Sequence, residues 1–355
     1  MRPPGLTEEL VRRRALLDGS APLPTVVHFG DAAAEAAAAF AGGVVRDQSA
    51  RARLRVRGKD RHDFVQRMCT NDVKRVAGGV GLAAAFTNAK GRLLDHVRLA
   101  ERGDELVLLG SEGQAAPLKA WLEKHVVMEE LELVDAAESE ASLLAFGPRA
   151  EAAVESVLGE LPAPVDGGFG VRRAPFADGE VLLLGSGAPP LQALELLVPA
   201  ALAGRLFARL IEAGLAPIGE QAWSQVRVEA GIPQHGREIQ ENANPLEAGL
   251  LHAVSFQKGC YIGQEVVARL NSYAKVQRHL VGARFPASVD PTAVNEIFWD
   301  LLRVGHASSV ARSPRLDATV ALAFVKSEYS KPGTPVYTVR AGERFEGVLC
   351  EVPFR

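Results

Sequence analysis

Lys258-Gly259-Cys260-Tyr261-Ile262-Gly263-Gln264-Glu265 sets one thiol between two glycines, beside a lysine and just ahead of a helical pattern. Val266, Val267 and Leu270 then recur at helical spacing, so Gln264 is expected to open a helix whose N-terminal amides point back toward Cys260. Helix N-termini and nearby cations favour a thiolate, and glycine lets a backbone or ligand approach closely. The stretch therefore suits a reactive cysteine. It equally suits a glycine-rich turn in which Cys260 is a small apolar filler.

Upstream, a helix is expected over 220–230, stopped by Gly231. Glu229 falls in its last turn, where the macrodipole disfavours an anion by a few tenths of a kcal/mol or more. A surface acid tolerates that cost, and a ligand-binding acid gives a reason for it. Before this helix, strands are expected over 181–184 and 194–198, then a helix that opens at Pro199 and stops at Gly214. Downstream of about Tyr273 the pattern turns to short strands with Pro and Gly turns, over 280–285, 296–304, 318–325, 335–339 and 345–352, which suits a small β-barrel. The domain boundary is placed between 275 and 276, giving a first region 1–275, expected as two interleaved α+β subdomains, and a barrel 276–355.

In the N-terminal half, 51–57 alternates arginine with Ala52, Leu54 and Val56, a half-buried strand with Arg51, Arg53, Arg55 and Arg57 on its solvent face. Asp60 can cap a helix whose core face is Phe64, Val65, Met68 and Cys69. Strands over 82–86 and 93–99 flank Asn88-Ala89-Lys90-Gly91, a turn composition that suits a hairpin. A strand over 106–109, a helix over 116–125, strands over 131–134 and 142–146, a helix over 148–158 and a loop at Gly167-Gly168 follow. Asp95 shares a strand face with Leu93, Val97 and Leu99. A carboxylate among apolar groups must be paired, protonated or used on a ligand. Pairing with Arg92 or another basic side chain, or an open face, are the plainer alternatives. His96 lies on the other face with Leu94 and Arg98, as a surface or packed histidine.

The order of elements is that of an α+β protein. Net charge is −3 from 40 basic and 43 acidic side chains, which gives no general surface for nucleic acid or membrane. Three cysteines without a C-x-x-C pair argue against a disulfide framework and for the cytoplasm, with Cys69 and Cys350 expected in the core. No run approaches the ~18 apolar residues of a membrane span, and the acids around Arg12-Arg13-Arg14 speak against a secretory signal. His235 has no partner at zinc-site spacing.

The 258–265 stretch, continued by Val266-Val267-Ala268-Arg269, resembles the signature of the YgfZ-type folate-binding proteins, relatives of the aminomethyltransferase (T-protein) of the glycine cleavage system. Arg227-Val228-Glu229-Ala230-Gly231-Ile232-Pro233, Thr70-Asn71-Asp72-Val73, the 88–95 hairpin, Asn244-Pro245-Leu246-Glu247-Ala248-Gly249-Leu250, and Gly305 with Ser309, Ser313, Pro314 and Leu316 resemble the same family in the expected order. The resemblance implies a multi-domain, cloverleaf-like α+β fold around a folate cavity, closed by a C-terminal β-barrel, with tetrahydrofolate or a derivative as cofactor. It implies that Glu229 contacts the pterin through two parallel hydrogen bonds and that Asp95 faces the reactive part of the folate.

Departures point to the YgfZ branch. The aminomethyltransferases carry two aspartates where this chain has Asp95-His96, and Asp, Phe and Arg where it has Cys260, Tyr261 and Gln264. The cysteine form implies a protein that binds tetrahydrofolate and supports assembly or repair of iron–sulfur clusters, including those of radical enzymes that modify tRNA. Its partners would be cluster-assembly or client proteins, with no direct contact to nucleic acid or membrane. On that reading Cys260 does redox, cluster-contact or one-carbon chemistry, Lys258 tunes the thiol, Tyr261 and Gln264 shape the loop, and Arg269 meets the folate glutamate tail or a partner carboxylate. Such clusters usually take four ligands, so any cluster at Cys260 would be shared. The alternative is a folate-dependent aminomethyltransferase or demethylase that uses Asp95 to orient the one-carbon acceptor.

Overall fold

The computed structural model describes residues 2–19, 23–186, 193–272 and 276–355. Its contacts form two units, and the division does not fall at one chain position: the first is Met1–Phe86, Asp95–Trp223 and Gln257–Tyr261, the second Thr87–Leu94, Ser224–Phe256 and Ile262–Arg355. The pattern change expected at about Tyr273, and the residue before the expected boundary, fall at 273–275, outside the described residues.

An eleven-stranded sheet runs through the first unit, in the order Ala216–Pro217, Val44–Asp47, Glu140–Phe146, Ala193–Pro199, Gly179–Leu184, Phe169–Phe176, Val80–Thr87, Leu93–Arg102, Glu105–Glu112, Arg51–Arg57 and Glu132–Asp135. One half packs helices over a core of Leu143, Val154, Leu183, Leu196, Leu206 and Phe207. An N-terminal helix that the sequence pattern did not show, Pro4–Arg12, adds Leu6 and Leu10 to that core. The strand Phe169–Phe176 was also missed, because Arg172 and Arg173 break its alternation.

The expectation that all four arginines of Arg51–Arg57 face solvent is wrong. Arg53 is 1% exposed, and burial pushes its guanidinium below the ordinary arginine range. Arg51 and Arg98 both pair with the buried Glu195, while Arg55 and Arg102 pair with the buried Glu140. Along this strand Arg51 and Arg55 meet buried acids, Arg53 donates to the Ser49 and Arg51 carbonyls and Arg57 stays partly exposed beside Glu105, and a period-two pattern cannot distinguish such partners from water. Asp60 does precede the helix Arg61–Met68, but its carboxylate accepts from the Glu130 amide, not from the helix.

In the second unit, Arg278–Pro286, Ala318–Lys326, Leu302–Ser313, Glu296–Trp299, Pro335–Arg340 and Glu343–Cys350 close a six-stranded barrel. Phe285, Ile297, Val304, Ala323, Val336 and Leu349 fill it. The expected single strand over 296–304 is two: Trp299 pairs with Leu302 across a two-residue turn in which Asp300 has φ 50°. Aspartate tolerates that left-handed region, but without a glycine the turn was not legible. Cys350, expected in the core, is half-buried at the edge of a cluster that includes Val228, Val320 and Phe354. Among the described residues no helix is long and apolar enough to cross a membrane.

Candidate functional site

Asp95 lies where the alternation put it: it is 1% exposed, in a row with Leu93, Val97 and Leu99, all fully buried. Its Oδ1 accepts from the His96 amide at 2.8 Å and its Oδ2 from the Ser111 amide at 3.0 Å. Gly110 makes room for it, since a Cβ there would stand 2.6 Å from Oδ2. Glycine inside a strand marks such close approaches, and Gly110 was the available signal for this pocket in the ladder. Two amides on adjacent strands thus fix the carboxylate's orientation.

The loop that carries Cys260 is anchored from below. Lys258 is 8% exposed, and its Nζ donates to the carbonyls of Gln66 at 2.5 Å, Cys69 at 2.8 Å and Asn71 at 2.9 Å. An ammonium has three donors, so these bonds use them all. The acceptors lie at and just beyond the C-terminal end of Arg61–Met68, where carbonyls lack helical partners and the dipole favours a cation. Burial pushes the Lys258 ammonium below its ordinary range, with Cys69 and Asp72 acting the other way. Tyr261 covers it, with the ring centroid 5.1 Å from Nζ. Burial, with a smaller contribution from Cys69, raises the Tyr261 phenol to about 12. Cys260 itself is exposed, whereas Cys69 is buried as expected and its thiol is pushed up by that burial.

Gly263 takes φ 86°, and a Cβ there would meet the Asn88 carbonyl at 2.6 Å and Thr87 Oγ1 at 2.7 Å. Thr87 Oγ1 also donates to the Ile262 carbonyl at 2.7 Å. This glycine therefore lets the chain lie against the hairpin tip, whose Asn88 Oδ1 accepts from the Lys90 and Arg92 amides. The helix opens at Gln264 as expected and runs to Ser272. Only Val267 of its apolar residues is fully buried, and it packs with Val266 on Gly91. Arg269 is exposed and pairs with Glu265 one turn away.

Glu229 sits near the end of the helix Glu220–Ala230, whose stop, Gly231, has φ 74°. Its side chain has no exposure. Oε1 accepts from Gln225 Nε2 at 2.9 Å; Oε2 accepts from Arg315 Nε at 3.0 Å and Nη2 at 2.9 Å. The sequence reading missed Arg315, although it quoted the residues on either side, because nothing local ties a turn arginine to an acid 86 positions earlier. Nearby, Glu238 is fully buried and takes Ser308 at 2.6 Å, Ser309 at 2.7 Å and Arg227 at 3.4 Å.

Asp95, Lys258, Cys260 and Tyr261 thus belong to the first unit, and Glu229, Gln264 and Arg269 to the second. Together with the fold they define an α+β protein with a closed barrel, with Asp95 buried in its sheet and Glu229 buried near the end of the helix Glu220–Ala230. The chain belongs to the glycine cleavage T-protein family: the GCVT N-terminal domain matches residues 24–258, and the glycine cleavage T-protein C-terminal barrel domain matches 278–355. It is 29% identical over 308 residues to an aminomethyltransferase of Chlorobium phaeovibrioides, covering 84% of this chain and 83% of that one. A chloroplastic protein of Arabidopsis thaliana, named as a transferase, is 26% identical over 99% of this chain and 81% of its own. The crystal structure of the glycine cleavage aminomethyltransferase T from Bartonella henselae shares the fold, with a TM-score of 0.84 at 21% identity over 99% of this chain and 97% of that one.

Proposed function

We propose that this chain is a tetrahydrofolate-dependent transferase of the aminomethyltransferase or demethylase kind. The observation that carries the reading is Asp95, a carboxylate buried in an apolar row, oriented by two amides and given space by Gly110. The aminomethyltransferases among its relatives support it. Tetrahydrofolate, when bound, supplies the ring nitrogen that takes up a one-carbon unit. Asp95 would accept that nitrogen's N–H and hold its proton, and Glu229 would fix the pterin through its N–H donors. Buried acceptor oxygens fit such a donor-rich ring. Tyr261 and Gln264 would shape the Cys260 loop, and Arg269 would meet the folate tail or a partner carboxylate. Three free thiols favour the cytoplasm.

The test is formation of methylenetetrahydrofolate from tetrahydrofolate with an aminomethylated lipoyl carrier, or with N-methylated glycines and an electron acceptor. Asp95→Asn is expected to lower the rate ~100-fold or more while keeping the fold. No product with wild-type protein from any of these donors would sink the transferase reading.

One observation favours a second reading, that of a YgfZ-type protein supporting iron–sulfur cluster assembly: Cys260 is exposed on a loop pinned by Lys258. A fixed, accessible thiol suits contact with a cluster or client. In cells lacking this protein, Cys260→Ala should fail to restore the activity of cluster-dependent tRNA-modifying enzymes, and rescue equal to wild type would remove the thiol from the function.

A further inference from the structure

Arg315 stands in the turn after the barrel strand Leu302–Ser313 and reaches the end of the helix Glu220–Ala230. Its Nε–Nη2 edge faces Glu229 Oε2, and Nη2 also donates to the Phe354 carbonyl at 3.4 Å. The Glu229 side chain has no exposure, whereas that of Arg315 is 39% exposed. Arg315 is therefore the outer wall of this cluster, and a ring that reaches Glu229 on that side must pass against the guanidinium. Along the cluster the groups run Gln225, Oε1, Oε2, Arg315.

That order gives two acceptor oxygens followed by a planar cationic donor. A pterin presents the complementary edge: the 2-amino group and N3–H are consecutive donors, and the 4-oxo oxygen is the acceptor beside them. Resting on Glu229 as the pterin anchor, we propose that Arg315 is a specificity-determining residue: Oε1 and Oε2 take the 2-amino and N3–H donors while the guanidinium donates to the 4-oxo oxygen. A guanidinium has five N–H groups in a fixed fork, so it can hold Glu229 and a ring oxygen from the same plane. Replacing the 4-oxo oxygen by an amino group turns a donor toward the guanidinium and strips N3 of its hydrogen, so Arg315 and Glu229 both meet an unmatched polar group, which is what such a site rejects.

The experiment is anaerobic calorimetry with two probes, tetrahydrofolate and its 4-amino-4-deoxy counterpart, on wild type, Arg315→Met, Arg315→Lys and Glu229→Ala. Arg315→Lys keeps a charge against Glu229 and is expected to fold even where Arg315→Met does not. Either arginine variant should weaken tetrahydrofolate ~10-fold or more and leave the diamino ligand within about twofold, so that the ratio of the two affinities falls. An unchanged ratio, whether both affinities drop together or neither moves, overturns the role of Arg315 while leaving Glu229 as anchor. Wild-type binding by Glu229→Ala overturns the anchor, and the inference with it.

Discussion

Asp95 and Glu229 are both buried acids, but the main chain orients one and side chains orient the other. Asp95 takes amides from its own strand and the next, and the bare Cα of Gly110 lies opposite. Glu229 is held by Gln225 one turn back and by Arg315 from a distant turn. A carboxylate gripped by a sheet ladder cannot move without moving strands. One gripped by two flexible side chains can exchange a partner for a ligand, because amide and guanidinium rotamers cost little to change. Fixed geometry suits proton handling, and exchangeable partners suit ligand capture.

Gly110→Ala tests the rigid side of this contrast hardest. Its Cβ would need the space that Asp95 Oδ2 occupies, so turnover should fall nearly as far as in Asp95→Asn, ~100-fold, at a stability cost of about 1–3 kcal/mol. Wild-type rates in Gly110→Ala would show that the carboxylate's placement does not matter. Lys258 reverses the arrangement, a side chain holding main-chain carbonyls, and Lys258→Met leaves three of them without their donor. A loss of about 3 kcal/mol in urea unfolding is expected, with the midpoint falling and the slope unchanged. A midpoint equal to that of wild type would show that the anchor is dispensable.

Tyr261 adds a pH dependence. Its phenol is raised in the folded protein to about 12 from an ordinary value near 10, so the neutral ring's contribution is fully present below pH 10 and is lost as pH rises through about 12. Tyrosinate absorbance should show the Tyr261 phenol titrating near pH 12, and Tyr261→Phe should remove both that phase and the extra loss of stability in this window. The smallest effect is expected on the exposed helix: Arg269→Ala breaks an i,i+4 pair with Glu265 and should change stability by less than about 0.5 kcal/mol. A larger loss would mean that this helix is held by its surface charges rather than by Val267.

Legibility followed the same division. Alternation alone put Asp95 on a buried face, and the helix limits at Glu220, Ala230 and Gln264 matched because capping and stop residues act locally. The barrel was legible as a run of short strands, apart from the turn at Asp300. Partners drawn from far along the chain left no local mark. Arg315 on Glu229, Lys258 on the carbonyls of Gln66, Cys69 and Asn71, and Glu195 and Glu140 on Arg51 and Arg55 all join segments tens of residues or more apart. The sequence makes Lys258 a cation beside a thiol; the fold shows its three donors directed at carbonyls.

The most direct test of the account is an anaerobic calorimetric titration of tetrahydrofolate into wild-type protein and Glu229→Ala. Saturable binding by the wild type that is lost in the variant is the predicted result. Equal binding by both proteins, or none by either, would contradict the assignment of Glu229 and leave the Cys260 loop to be explained as a surface for a partner.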